Sequence, residues 1–338
     1  RLLLSFPAMK SSLTSLIVIT LMATGCSFQR SEQESLWSDY EPLVPMAEGP
    51  TYQLLEGYNP LWLNQVKEGV ELSRAYWGTY GPTRILVLGK EEGQVISAES
   101  KKSFLNEYCK WRTASSKHHS HEDCLVHTKE NLFGPMERGE SESMLSGVRD
   151  TVPQMAELIF INVHNQENDD DTLPGPVQRG IHEYTHVFQL SVGRMPTWMM
   201  EGGAMFFENW IPQLVNRGDW KLRMRQMMRE TKFKLRGLKY TIADMEEIES
   251  ASEELKEYYQ TLAYHSGAWA IAFIIHQSPT QNVAVFRDEF YPLVAELGWE
   301  AAVAQYTGMD SKEDFYHAFA AFSSLSIDEQ MESIGAIK

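Results

Sequence analysis

His182-Glu-Tyr-Thr-His186, followed by Pro196-Thr-Trp-Met-Met-Glu-Gly-Gly-Ala204, decides how the rest of the chain is read. On a helix, residues four apart lie one turn above each other on the same face. His182 and His186 then aim their imidazoles at one point, and Glu183, one residue further round, reaches a water held there. Glu201 comes 15 positions after His186 on a second expected helix, separated from the first by a Gly193–Pro196 turn. Two histidines and a glutamate leave a fourth coordination position open, which is the ligand set of a hydrolytic rather than a structural zinc. His182, His186 and Glu201 are therefore the expected ligands of one Zn2+ ion. Glu183 is the expected general base, a carboxylate placed to take the proton of the metal-bound water.

The pattern His182-Glu-x-x-His186 … Trp198-x-x-Glu201-Gly-x-Ala204-x-x-x-Glu208 resembles the gluzincin zinc metallopeptidases, the clan of thermolysin and aminopeptidase N. Its Trp-x-x-Glu-Gly-x-Ala form is closest to the aminopeptidase N side and its small bacterial relatives. The resemblance is strong over residues 177–210 and weaker over 258–322, and nothing specific precedes residue 150. It implies an α+β fold with a thermolysin-like catalytic core: a small mixed-sheet N-terminal lobe, 49–176, and a mostly helical catalytic lobe, 177–338. It implies a peptide or protein substrate cleaved by zinc-activated water. It also implies that Glu208 holds a zinc histidine in its tautomer, and that Tyr264, in Tyr264-His-Ser-Gly267 ahead of an apolar helix, stabilises the oxyanion. Tyr258 and Tyr259 compete for that last role. Members of the clan carry an edge strand shortly before the zinc helix, and Leu158–Val163 takes that slot by order. The segment Trp299 to Phe322 resembles their helical cap.

One part of the aminopeptidase pattern is missing. The nearest string to the motif that holds a substrate's free amine, Gly134-Pro-Met-Glu-Arg138, lies upstream of the expected edge strand and lacks the asparagine. Endopeptidase and exopeptidase action both stay open. Two other readings stand beside peptidase: a non-catalytic envelope lipoprotein that uses the fold for binding, and a zinc hydrolase of a non-peptide bond.

The N-terminal stretch reads as an address. Lys10 precedes an apolar run from Leu13 to Ala23 that is too short to span a bilayer as a mature helix. Ala23-Thr24-Gly25-Cys26 resembles a lipobox, so residues 1–25 are expected to be a lipoprotein-type signal peptide, with 1–8 a start-site artefact. Cys26 is the expected lipidated residue, and residues 26–48 the tether. Ser27 after the cysteine favours the outer membrane, facing the periplasm; ordinary cleavage at the same site gives a secreted protein instead. Export leaves Cys109 and Cys124 as an even pair in an oxidising compartment, where a disulfide is expected.

The chain has 338 residues, 43% of them hydrophobic, enough for a full core. Its net charge of −16, which becomes more negative once Arg1 and Lys10 are removed, argues against a nucleic-acid partner. His118, His119 and His121 read as a solvated loop and Asp169 to Asp171 as an acidic turn. Arg217 to Lys239 is rich in Lys and Arg, and reads as a charged helix face balanced by the acidic stretch 244–257 or, alternatively, as a face that touches anionic lipid head groups. Elsewhere, the patterns predict a helix over 59–77 and strands over 84–89 and 155–163.

Overall fold

The computed structural model describes residues 41–114, 120–148, 153–166 and 173–338. The expected signal peptide, Cys26, His118, His119 and the Asp169–Asp171 turn lie outside the described residues. Among the described residues, no helix is long and apolar enough to cross a membrane.

The fold is α+β, with strands in the first half and helices throughout the second. The main sheet joins β2 (Thr51–Leu54), β4 (Thr83–Leu88), β6 (Met155–Ile161) and β5 (Glu142–Val148) in the order β2-β4-β6-β5. The first three run parallel and β5 runs antiparallel to β6. Every residue of β4 and β6 is buried, which explains why both read as unbroken apolar runs instead of alternating ones. A two-residue ribbon pairs β1 (Val44–Pro45) with β3 (Tyr80–Gly81). The chain is thus already in a sheet within the stretch assigned to the tether, and Leu43 is buried with its N–H donated to the Leu190 carbonyl.

The edge strand is corrected by this topology. Residues 158–161 belong to β6, which sits between β4 and β5 with both its edges paired. The outer strand beside it is β5, whose Glu142-Ser-Met-Leu-Ser-Gly-Val148 carries too few β-branched residues to announce itself.

Helix α1 (Pro60–Trp77) starts where the Asn59 side chain accepts from the Leu61 N–H and proline fills the first position. Helices α2 (Ala98–Ala114) and α3 (His121–Arg138) follow β4 and are stapled by the Cys109–Cys124 disulfide. His121, expected in a loop, is instead the first residue of α3, capped by the Ser120 side chain. The metal-motif helix α4 (Gly175–Val192) crosses α1 at van der Waals contact. A Cβ on Gly69 would meet the Val177 carbonyl oxygen at 2.0 Å, and one on Gly180 the Val66 oxygen at 2.5 Å. Helix α4 serves two cores. Tyr184, Val187 and Leu190 pack into the sheet core, whereas Val177, Ile181 and Phe188 join the helical core. That helical core is built by α5 (Thr197–Leu214), α6 (Trp220–Lys234), α7 (Gly267–Gln277), α8 (Val283–Leu297), α9 (Trp299–Thr307), α10 (Lys312–Ser324) and α11 (Ile327–Ile334). Helix α5 does not stop at Pro212 but runs two residues past it.

Candidate metal centre

Helices α4 and α5 pack against each other so that His182, His186 and Glu201 meet in the interior, all three buried, with their ligand atoms within 4.8 Å of one another. Each histidine Nε2 lies 3.4 Å from Glu201 Oε2. That separation is about the edge of a tetrahedron with ~2.1 Å bonds to its centre, the spacing that zinc takes with nitrogen and oxygen.

The far side of each imidazole settles its tautomer. His182 Nδ1 lies 2.8 Å from Glu208 Oε2, which accepts its proton. His186 Nδ1 lies 2.6 Å from Gln189 Oε1. The Gln189 amide is itself oriented, because its Nε2 donates to the Met200 carbonyl at 2.9 Å and carbonyls only accept. Both histidines therefore carry their proton on Nδ1 and turn the Nε2 lone pair inward. Two lone pairs and a carboxylate oxygen then face one another in a dry interior, an arrangement that is repulsive unless a cation sits among them. Without a metal, that cation is a proton. Burial alone would push the His182 pKa down, but its hydrogen bonds to Glu201 and Glu208, with the charges of Glu208 and Glu183, outweigh it and raise the value to about 9. Glu201 moves the other way: burial opposes ionisation, yet the two imidazoles hold its carboxyl well below the usual range. The donor set fits a divalent ion, and this buried group can bind one.

Glu201 divides its two oxygens. Oε2 faces the histidines, while Oε1 accepts the Tyr259 hydroxyl at 2.9 Å. Tyr259 precedes a π-helical turn, Gln260–Ser266, that sequence reading did not foresee. Its i→i+5 spacing brings Tyr259 and Tyr264 together, their ring centroids 5.4 Å apart and edge to face. Tyr264 lies parallel to the His182 ring, their centroids 5.6 Å apart. Burial, then the charges of Glu201 and Glu183, hold the Tyr264 phenol far above its ordinary value. Tyr258, the third candidate, packs on Tyr240 instead. Glu183 is buried beside the cluster, 4% exposed, and desolvation raises its pKa against the pull of the neighbouring imidazoles.

Two glycines make the site possible. A Cβ on Gly202 would stand 2.4 Å from the Gly267 Cα, so α5 and the helix entering α7 touch through backbone. One on Gly203 would stand 2.7 Å from Gln189 Nε2. The Gly-Gly after Glu201 thus makes room for the π-turn on one side and the His186 partner on the other. Gln189 is the functional residue that sequence reading missed. Its one signal is the i+3 spacing from His186, which is informative only once His186 is taken as a ligand.

No family model matches the chain, and no similar curated protein or solved structure was found.

Proposed function

We propose that this protein is a zinc-dependent metallopeptidase with a thermolysin-like catalytic core. The observation that carries the reading is the pair of oriented imidazoles: both Nδ1 protons are committed to buried acceptors, leaving both Nε2 lone pairs turned on Glu201. Bound zinc supplies a Lewis acid and a water acidified towards a pKa of about 7. Glu183, its pKa raised by burial, would act as general base toward a water held there and as the donor to the leaving amine. Tyr264 keeps its proton across the physiological range and offers it to the developing oxyanion, while Tyr259 holds Glu201 in place. Glu208 and Gln189 keep the imidazoles from rotating.

A peptide is favoured over another hydrolysable bond by β5, which packs against α4 and, among the described residues, is paired only on its β6 side. Its other edge presents backbone donors and acceptors to which an extended peptide adds as a further strand. The cellular setting we propose is the bacterial envelope, with the chain tethered by lipid on Cys26. Metal analysis of the purified protein, coupled to cleavage of a denatured protein mixture with and without chelator, tests the reading. Stoichiometric zinc with chelator-sensitive cleavage supports it; zinc without any cleavage shows a binding protein instead, and absence of zinc removes the proposal altogether.

A further inference from the structure

The Arg217–Lys239 stretch divides into two unlike faces once folded. Met224, Met227 and Met228 are buried, and the Trp269 indole donates to the Met224 carbonyl, so the methionines belong to the core. The opposite side and the turn after α6 carry Arg229, Lys234, Arg236 and Lys239, all exposed. Among the described residues none of these four forms an ion pair or a side-chain hydrogen bond. Three acids of the stretch expected to balance it pair elsewhere, Glu246 with Lys312, Glu247 with Arg194, and Glu253 with Lys256, and among the described residues none of its acids forms an ion pair with this basic stretch. Phe233, 80% exposed, lies one helical turn after Arg229 and next to Lys234, with the exposed Glu230 as the one acid in this part of α6 and Leu238, 39% exposed, after the helix.

We propose that this face, centred on Phe233, rests on an anionic phospholipid surface. The charges are complementary in a way the rest of the molecule is not, since the chain as a whole carries −16 and is repelled by the same surface. The field therefore turns the molecule so that this face meets the lipid. A phenyl ring standing out from its surroundings suits a bilayer, which moulds around it at the level of the headgroups; a folded partner would need a matching pocket. Cations at that depth contribute about 1 kcal/mol each, roughly fivefold in binding.

The full chain carrying Cys26→Ser, and so without lipid of its own, is mixed with vesicles of phosphatidylcholine alone or with a quarter of anionic phosphatidylglycerol, and sedimented. Binding to the anionic vesicles is expected, weakening as salt is raised, with little binding to the neutral ones. The double variant Lys234→Glu/Arg236→Glu should bind at least ~25-fold more weakly, by the fivefold value above. Phe233→Ser should also bind more weakly, and with the same salt dependence. A remote pair of reversals, Lys110→Glu/Lys129→Glu, matches the charge change on exposed sites elsewhere and should bind like the parent. Equal binding to both vesicle types, or equal loss in the remote pair, overturns the proposal. So does retention on a soluble acidic polypeptide without vesicle binding, which assigns the face to a protein partner. Circular dichroism confirms that each variant is folded.

Discussion

At the scale of single residues, the proposed function separates groups that would hold a metal from groups that would work beside it. Glu183→Gln should leave metal content unchanged and lower kcat/KM by about 10²–10⁴-fold, because it removes the proton acceptor and no ligand. Tyr264→Phe should retain metal as well, with a loss of about 10²–10³-fold. A peptide library cleaved equally fast by parent and Glu183→Gln would show the chemistry to be wrong. Gln189→Ala makes a different prediction. It frees the His186 ring to rotate and change tautomer, so zinc affinity, read by competition with a chromophoric chelator, should fall about 10–100-fold. Unchanged affinity would mean that the 2.6 Å contact does not orient the ligand. The ligands were legible in the sequence because a helix writes the His182–His186 pair within one turn. Gln189 was not, and Tyr259 was read only as a competitor for the oxyanion role, since a side chain's contact with Glu201 or His186 shows only once the fold places it there.

The His182 charge gives a pH dependence of known sign. Its folded pKa of about 9 lies above the ordinary 6.5, so in metal-free protein the charged imidazole adds stability that is complete below pH 6.5. That contribution is lost as pH rises from 6.5 through about 9. Thermal midpoints of chelator-treated protein should therefore drop across this window. Zinc-loaded protein, in which the metal has displaced the proton, should not show the drop; an identical fall in both forms would refute the assignment.

At the scale of elements, α1, the helices from α4 onward and the strands β4 and β6 were legible, the helices from period and stop signals and the strands from apolar runs, whereas α2 and α3 were not. Nor were strand β5 and the π-turn. The former lacks strand-forming residues, and the latter is set by packing, with Gly202 and Gly267 in backbone contact. Gly202→Ala tests that contact. The added Cβ has only backbone to displace, so α5 and the turn must part, at about 1–3 kcal/mol or more of stability. Denaturant unfolding should show the loss, and Tyr259 should release Glu201, weakening zinc binding in the same variant. Full stability in Gly202→Ala would show that the interface has slack.

At the scale of the molecule, α4 is shared by two cores, and its metal site lies between them and not in a detachable loop. A ligand that binds only the folded chain stabilises it by mass action. Chelation should thus lower the unfolding midpoint of sheet and helices together, as one transition seen equally by far-ultraviolet dichroism and tryptophan fluorescence. Separate transitions for the two would mean that α4 does not join the cores. The division at residue 176 was drawn along the sequence, where strands give way to helices; in space the boundary is this helix itself, a fact that residue order does not carry.

The burial of the three ligands, each less than a tenth exposed, bears finally on time rather than on affinity. Among the described residues the three side chains are almost wholly covered, so release of an ion seated among them is expected to wait for the protein to open. The rate of zinc loss should then climb with chelator concentration only to a plateau, and that plateau is the frequency with which the closed form opens. If the proposed peptidase reading holds, a substrate would need the same opening, and the plateau would also bound how fast turnover can begin.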